Sequence, residues 1–353
     1  GGSMYKFRLK ASAFAMSYLS NEERVRELAR QIAPYRGDKP APFISAGGLK
    51  VAAARTTVRR YRGLRDYVED QNEPVARAAA AGCQLVAFPE LGAMSAISLL
   101  PGFSALYADL TKLWASGSQS DRAEAFAELC ATVQGFVGEV FLNTFSQLAR
   151  SHRIIIAAGG LYQIENGRLT NRQYLFSDTG EVAAVQDKLY PERWERSMGV
   201  SAGEELTPGD TRIGRVALLT ASCLPNYEPF FIASAAGCSV AVAGASPFGP
   251  SSDLARYRAQ ESGLCLLSPG LRSRGDFGFE YHYPARIAAP RAATRSRDGS
   301  AASPEDRPLL TARVDLERAA SQFDLYSADR NPAFFRALIA DGEGPAPKEG
   351  GAG

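Results

Sequence analysis

Leu85-Val86-Ala87-Phe88-Pro89-Glu90 is an uncharged run that stops at a proline and delivers a carboxylate. A continuous apolar stretch of this length, with Gly82 before it and Pro89 closing it, reads as a buried strand. The arrangement recurs twice. Residues 181–187 form a strand-like run ending at Lys188, and Val216-Ala217-Leu218-Leu219-Thr220-Ala221-Ser222 ends at Cys223. Open α/β sheets build their sites at strand ends, so three reactive side chains from distant parts of the chain are placed to converge.

Outward from these runs, strands alternate with helices. Residues 49–54 read as a strand, 64–81 as a helix stopped by Gly82, and 154–162 as a second buried strand. Between them, residues 96–134 form an insertion with helical stretches at 105–114 and 121–133, followed by a helix over 137–152. Asp178-Thr179-Gly180 turns a hairpin between residues 172–177 and 182–188. Strands at 215–221, 239–243 and 264–267 alternate with helices at 229–236 and 253–262, which gives an α/β class with buried sheets. The twenty uncharged residues 230–249 are mostly Ala, Gly and Ser, so they read as a small-residue helix and a buried strand, not a membrane span. An N-terminal extension, residues 1–48, carries a helix over 21–32 and a Pro/Gly-rich connector over 35–48. The main domain spans 49–338, and the tail 339–353 reads as disordered, as does the loop 291–307.

Composition narrows the function. The 353 residues carry 40 basic and 38 acidic side chains, a formal charge of +2, which gives no footprint for nucleic acid or an anionic membrane. The arginines at 55, 59, 60, 62 and 65 are too short a run to change that. Five cysteines, Cys83, Cys130, Cys223, Cys238 and Cys265, form no C-x-x-C pair, which argues against a disulfide framework or structural zinc and suits the cytoplasm. With only His152 and His282 available, a histidine-rich metal site is excluded. Phosphate-cradling glycine motifs are absent, and Gly1-Gly2-Ser3 before Met4 has the look of an expression scar. No metal or organic cofactor is expected.

The three strand-end residues suit one chemistry. A cysteine attacks as its thiolate, which needs a base and a cation nearby. With histidine scarce, Glu90 can be the base and Lys188 the cation that holds negative charge on the attacked atom. Lysine usage sharpens the choice: seven lysines stand against 33 arginines, and between Lys50 and Lys348 only Lys112 and Lys188 occur. Taken singly, Cys223 reads as an inert core thiol, Lys188 as the end of an exposed strand and Glu90 as a turn carboxylate.

Taken together, Phe88-Pro89-Glu90, Lys188-Leu189-x-Pro191 and Cys223 resemble the Glu-Lys-Cys triad of the carbon–nitrogen hydrolase, or nitrilase, superfamily. Ala79-x-x-Gly82-x-x-Leu85, Pro208-Gly209-Asp210, Arg258-Ala259-Gln260-Glu261 and Val314-Asp315-Leu316 are similar to the family's flanking motifs, so the likeness runs from about Leu49 to Leu338. Glu195, seven residues past Lys188, resembles a second glutamate of true nitrilases, with Glu192, Glu204 and Glu205 as substitutes. Cys223-Leu224-Pro225-Asn226-Tyr227-Glu228-Pro229 is similar to the C-W-E-N-Y-x-P motif, with Leu224 and Pro225 in place of its aromatic and acidic residues; Ser262 replaces a helix asparagine.

The resemblance implies a four-layer α-β-β-α sandwich and a homodimer or larger homo-oligomer built through outer helices. It also implies cysteine-dependent hydrolysis of a nitrile or small amide through a thioester. In that scheme Glu90, Lys188 and Cys223 are catalytic, with Glu195 positioning the lysine and the incoming water. Leu224, Asn226 and Tyr227 are the candidate substrate-binding residues, and the Leu224 N–H is an expected oxyanion donor. An amidase, a carbamoyl hydrolase, an amide-forming acyltransferase and a non-catalytic scaffold of the same fold stay open. The extension 1–48 or the insertion 96–134 is expected to cover the site or meet a partner subunit.

Overall fold

The computed structural model describes residues 2–19, 21–35, 48–90, 92–244, 252–277, 280–294, 296–302, 307–328, 331 and 333. In chain order the elements are α1 (Gly2–Leu19), α2 (Glu22–Ile32), β1 (Leu49–Val58), α3 (Leu64–Ala80), β2 (Leu85–Ala87), α4 (Phe103–Ser116) and α5 (Gln119–His152). Next come β3 (Ile155–Glu165), β4 (Arg168–Phe176), β5 (Val182–Asp187), α6 (Arg193–Ser197), β6 (Gly209–Thr211) and β7 (Gly214–Thr220). The remainder is α7 (Glu228–Ala235), β8 (Cys238–Gly244), α8 (Ser252–Ser262), β9 (Cys265–Ser268), β10 (Gly270–Arg274), β11 (Glu280–Tyr283), β12 (Arg286–Ala288), β13 (Ser300–Ala302), β14 (Leu309–Val314) and α9 (Leu316–Ala328).

Two sheets form, and side-chain alternation shows why they stack. The first is ordered β11-β10-β1-β2-β3-β4-β5, with β14 also on β1; the second is ordered β13-β12-β9-β8-β7-β6. Along β1, Leu49, Val51 and Ala53 face Val216, Leu218, Val240 and Val242 of the second sheet in one apolar layer. The intervening Ala52 and Ala54 face outward with Val86 and Ile156, covered by Phe141, Phe145 and Leu148 of α5 and Val75 and Ala78 of α3. On the opposite side Ala217, Leu219, Ala241 and Ala243 are covered by Phe230 and Ala233 of α7 and Ala255 and Ala259 of α8. The order is therefore helices, sheet, sheet, helices: the four-layer α-β-β-α sandwich. The strands β1, β2 and β3 run parallel, as do β7, β8 and β9, so their carboxyl ends gather at common edges.

The helices correct several expectations. Residues 121–152 form one uninterrupted helix instead of two, because Gly135 and Gly138 lie inside α5 without breaking it. Its start is fixed by a capping box between Ser118 and Asp121, and it ends where Arg153 turns left-handed. Although α5 is long and apolar enough to cross a bilayer, its core face packs on the first sheet. The extension holds a further helix, α1, whose Tyr5 and Leu9 are buried beside Phe103, Leu106 and Leu129. Tyr5 donates to Glu128, and Lys6 bridges Glu124 and Glu128 of α5. The loop 291–307, read as disordered, contains a 3₁₀ turn at Arg291–Ala293 and the strand β13. Asp298 organises it by accepting from Ser296, Ser300 and Arg256. The connector at 36–47 and the tail 339–353 lie outside the described residues.

Candidate active site

Glu90 leaves β2 at a point where three backbones nearly touch. Phe88 N–H donates to Ala157 O and Gly160 N–H to Glu90 O, so β3 grips the turn from one side. Gly159 makes this possible: it has φ +82°, and a Cβ there would overlap Pro89 O. From the second sheet, Gly244 at the end of β8 approaches so closely that a Cβ would lie 3.1 Å from Glu90 N. Lys188 follows β5, its N–H donating to Asn171 O of β4. Cys223 closes the 3₁₀ turn Ala221–Cys223 directly after β7.

Glu90 and Lys188 meet in the interior together with Glu195. Lys188 Nζ lies 2.6 Å from Glu90 Oε1 and 2.7 Å from Glu195 Oε2, with Glu192 Oε1 farther off at 3.7 Å. Glu90, Lys188, Glu195 and Cys223 are all buried, each 2% exposed or less. Of the possible second glutamates, Glu195 is the one brought onto the lysine; Glu204 pairs with Arg168 at the surface and Glu205 is exposed. Glu195 has two structural duties at once, because its Oε2 also accepts the Glu192 N–H and so starts α6.

Two partners escaped the sequence reading. Asn171 Nδ2 donates to both Glu90 Oε1 (2.7 Å) and Glu195 Oε1 (3.0 Å), and Tyr162 OH donates to Glu195 Oε1 at 2.7 Å. Asn171 fits because Gly160 lacks a side chain: a Cβ there would meet Asn171 Oδ1 at 2.6 Å. The signals were an asparagine inside a strand and the paired glycines at 159 and 160, each unusual in a regular sheet. Behind Glu195 stands an aromatic wall. The Phe126 ring meets Tyr162 edge-on at 5.0 Å, and Trp194 lies 6.4 Å from Tyr162. Phe126 belongs to α5, so the inserted segment closes this side of the cluster.

The hydrogen bonds separate the two carboxylates. Glu195 accepts from Tyr162, Asn171, Glu192 N and Lys188, two donors on each oxygen, which leaves no lone pair for a water. With both oxygens engaged in this way, Glu195 is fixed against the Lys188 ammonium and the start of α6. Glu90 differs: Oε1 accepts from Lys188 and Asn171, whereas buried Oε2 has no hydrogen-bond partner among the described residues. Burial, reinforced by the negative Glu195, pushes Glu90 up to about 7 against the lowering pull of Lys188. For Lys188, burial favours the neutral amine, but Glu90, Glu195 and Glu192 outweigh it and hold the ammonium above its ordinary range. Burial pushes the Cys223 thiol up to about 11, with Glu90 and Lys188 close enough to act on it in opposite senses.

The turn after Cys223 departs from expectation. Leu224 N–H donates to Ala221 O within the 3₁₀ turn, so it is committed to the backbone and is not a free oxyanion donor. The Leu224 side chain is buried with Phe230 and Ala233. Arg258 of α8 grips the turn, donating to Leu224 O at 2.9 Å and Pro225 O at 3.0 Å. Asn226 is half-buried, and Tyr227 lines a cavity of about 480 Å³ between α7 and α8, together with Phe231, Tyr257 and Arg258. That cavity lies over the outer helices, away from the Glu90–Lys188 cluster. Glu90, Lys188 and Glu195 are therefore brought into direct contact, with Cys223 near enough to feel the charges of Glu90 and Lys188, while Leu224 and Tyr227 face the outer helical layer. His282, at the edge of the first sheet, contacts Arg55. Among the described residues no group of three His, Cys, Asp or Glu side chains is arranged to hold a metal ion.

With this geometry in hand, comparison with known proteins is decisive for the family. The carbon–nitrogen hydrolase family model matches residues 29–321. The chain belongs to this family, within the nitrilase superfamily. Similar solved structures carry the same fold. The amidase from Nesterenkonia sp. AN1, solved with acrylamide added at its active-site cysteine, has 17% identity and a TM-score of 0.56, with 82% of this chain and 99% of that one covered. Nit3 from Saccharomyces cerevisiae has 17% identity and a TM-score of 0.57, covering 83% of this chain and 99% of its own. The NitFhit protein of C. elegans has 16% identity and a TM-score of 0.60, with 82% of this chain and 66% of that one covered. No curated protein sequence matches the chain. Family membership makes it a hydrolase of the nitrilase superfamily, acting on carbon–nitrogen bonds.

Proposed function

We propose that this hydrolase converts a nitrile or small amide to a carboxylic acid and ammonia through a thioester on Cys223. The supporting observation is the buried Oε2 of Glu90, which has no hydrogen-bond partner among the described residues, next to a Glu195 carboxylate that takes two donors on each oxygen. Glu90 Oε2 takes the Cys223 proton as sulfur bonds to the substrate carbon. Lys188 has three N–H donors; two point at Glu90 and Glu195, and the third is left for the negative oxygen or nitrogen that develops. For an amide, Glu90 returns the proton to the departing amine and ammonia leaves. A nitrile first gives a thioimidate, which adds water before losing ammonia. In both cases Glu90 then takes a proton from water, the water oxygen bonds to the thioester carbon, and sulfur leaves to recover that proton. Glu195, Asn171 and Tyr162 keep the lysine in place throughout.

We place the protein in the cytoplasm, in keeping with its five free cysteines. We also propose that it assembles as a homodimer or larger homo-oligomer through the α7–α8 face, where Ile232 and Tyr257 are exposed. Ammonia release from a panel of aliphatic and aromatic nitriles and amides, compared with Cys223→Ala, tests the activity. Release that disappears in the mutant supports the reading, and the best substrate separates nitrile from amide. Silence across the panel would favour a non-catalytic relative or an acyl acceptor other than water.

A further inference from the structure

The mechanism above gives the thiol proton a destination but leaves the sulfur's own negative charge without a donor. Lys188 is committed to carboxylates and to the developing oxyanion, and the first N–H after the nucleophile is bonded to Ala221 O. Among the described residues, one polar side chain lies within hydrogen-bond reach of the sulfur. Thr220, the last residue of β7 and 1% exposed, places Oγ1 3.8 Å from Cys223 Sγ, a distance within reach of a sulfur acceptor. The same Oγ1 lies 2.6 Å from Ser222 Oγ, so the two hydroxyls form a short relay along the turn that carries the nucleophile.

We propose that Thr220 is a further catalytic residue, whose hydroxyl donates to the Cys223 thiolate while Ser222 donates to Thr220. Only this polarity satisfies every partner once sulfur is charged: a thiolate accepts and cannot donate, so the Thr220 proton points at sulfur and Thr220 Oγ1 accepts from Ser222. Ser222 is half-buried and can exchange its remaining hydrogen bond with water, whereas Thr220 is sealed. The relay therefore links the buried sulfur to the solvent side of the turn without opening the site. The proton balance is unchanged: the thiol proton still goes to Glu90, and no bond to Thr220 or Ser222 breaks. The hydroxyl acts twice, on the attacking sulfur and again when sulfur is the leaving group of the thioester. Burial in an apolar layer with Ala217, Leu219 and Phe230 makes such a donor worth more than it would be in water.

The inference rests on Cys223 being the nucleophile, and the test separates the two ideas. Iodoacetamide alkylation of the full-length protein, followed by intact mass across pH 5–10 with Cys223→Ala as the blank, reads the thiolate directly and needs no substrate. The titratable groups facing the sulfur are Glu90, Lys188 and Tyr190, all unchanged in the variants used. Thr220→Val is expected to slow alkylation at neutral pH about tenfold and to move its rise to higher pH, since a hydrogen bond to a charged group is lost. Thr220→Ser, which keeps the hydroxyl, is expected to restore the wild-type profile, and Ser222→Ala to give a partial loss. If Thr220→Val folds poorly, Thr220→Ser and Ser222→Ala still decide. Superimposable wild-type, Thr220→Val and Ser222→Ala profiles would overturn the Thr220 role while leaving Cys223 as nucleophile. Wild-type Cys223 that fails to react at any pH where the protein is folded would overturn both.

Discussion

Lys188 Nζ sits 2.6 Å from Glu90 Oε1 with both side chains 1% exposed, a buried ion pair made by residues 98 positions apart. Removing such an ammonium leaves Glu90 and Glu195 facing each other without a counter-charge. Breaking a buried pair from one side costs about 3–5 kcal/mol. Lys188→Met is therefore expected to lose stability on that scale in urea unfolding as well as all activity. Adding Glu195→Gln to Lys188→Met should recover part of the stability and none of the activity. Full wild-type stability in Lys188→Met would mean the cluster is not the buried charge network described.

The pH dependence follows from Glu90. Because its folded-state value is raised to about 7, the protonated form is favoured by folding. The stabilising contribution is complete below the ordinary glutamate range, about 4.3, and is lost as pH rises through about 7. Activity runs the other way, since the base must be ionised. Hydrolysis should rise through about pH 7, and Glu90→Gln should abolish that limb while lowering kcat by about 10²–10⁴. Stability that is flat between pH 5 and 8 in wild type and Glu90→Gln alike would contradict this.

Gly159 tests the seat of the glutamate. A Cβ at this position meets Pro89 O well inside contact distance at φ +82°. Gly159→Ala is expected to displace the Glu90 turn, costing about 1–3 kcal/mol in thermal unfolding, with a drop in kcat larger than any change in KM. Gly167→Ala, in an open turn at φ +75°, should cost less and leave kcat alone.

Phe126 tests the inserted helix. Phe126 is 7% exposed, and its ring packs edge-on against Tyr162, which in turn holds Glu195. Phe126→Ala should destabilise by about 3–5 kcal/mol. Phe126→Leu, which keeps the wall filled, should recover most of this in the same unfolding measurement.

The parts of the site readable from sequence are those where a reactive residue interrupts a strong local pattern. Glu90 after a proline-stopped strand, Lys188 in an arginine-rich chain and Cys223 after β7 each stand out in this way. The α/β class with buried sheets was legible in the continuous apolar strands, whereas the four-layer stacking came from the family resemblance, because the alternation of β1 between two layers shows only once the sheets are paired. What escaped depends on pairing between strands. Asn171 is unusual inside a strand, but what it and Tyr162 bond to shows only when the β3–β4 register sets them opposite each other beside the gap at Gly160. The Leu224 N–H was misjudged because the preceding turn is 3₁₀, a geometry that uses that donor and that residue types alone do not specify. The continuity of α5 was hidden by its glycines, which burial of its flanking phenylalanines tolerates.

A covalent acyl intermediate on Cys223 would be seen by intact mass during turnover of the best nitrile or amide, with acid quench and peptide mapping. An adduct of the acyl mass is expected on the peptide containing Cys223, absent in Cys223→Ala and accumulating or vanishing together with ammonia release. Turnover with no adduct at any time, or release that persists in Cys223→Ala, would contradict it.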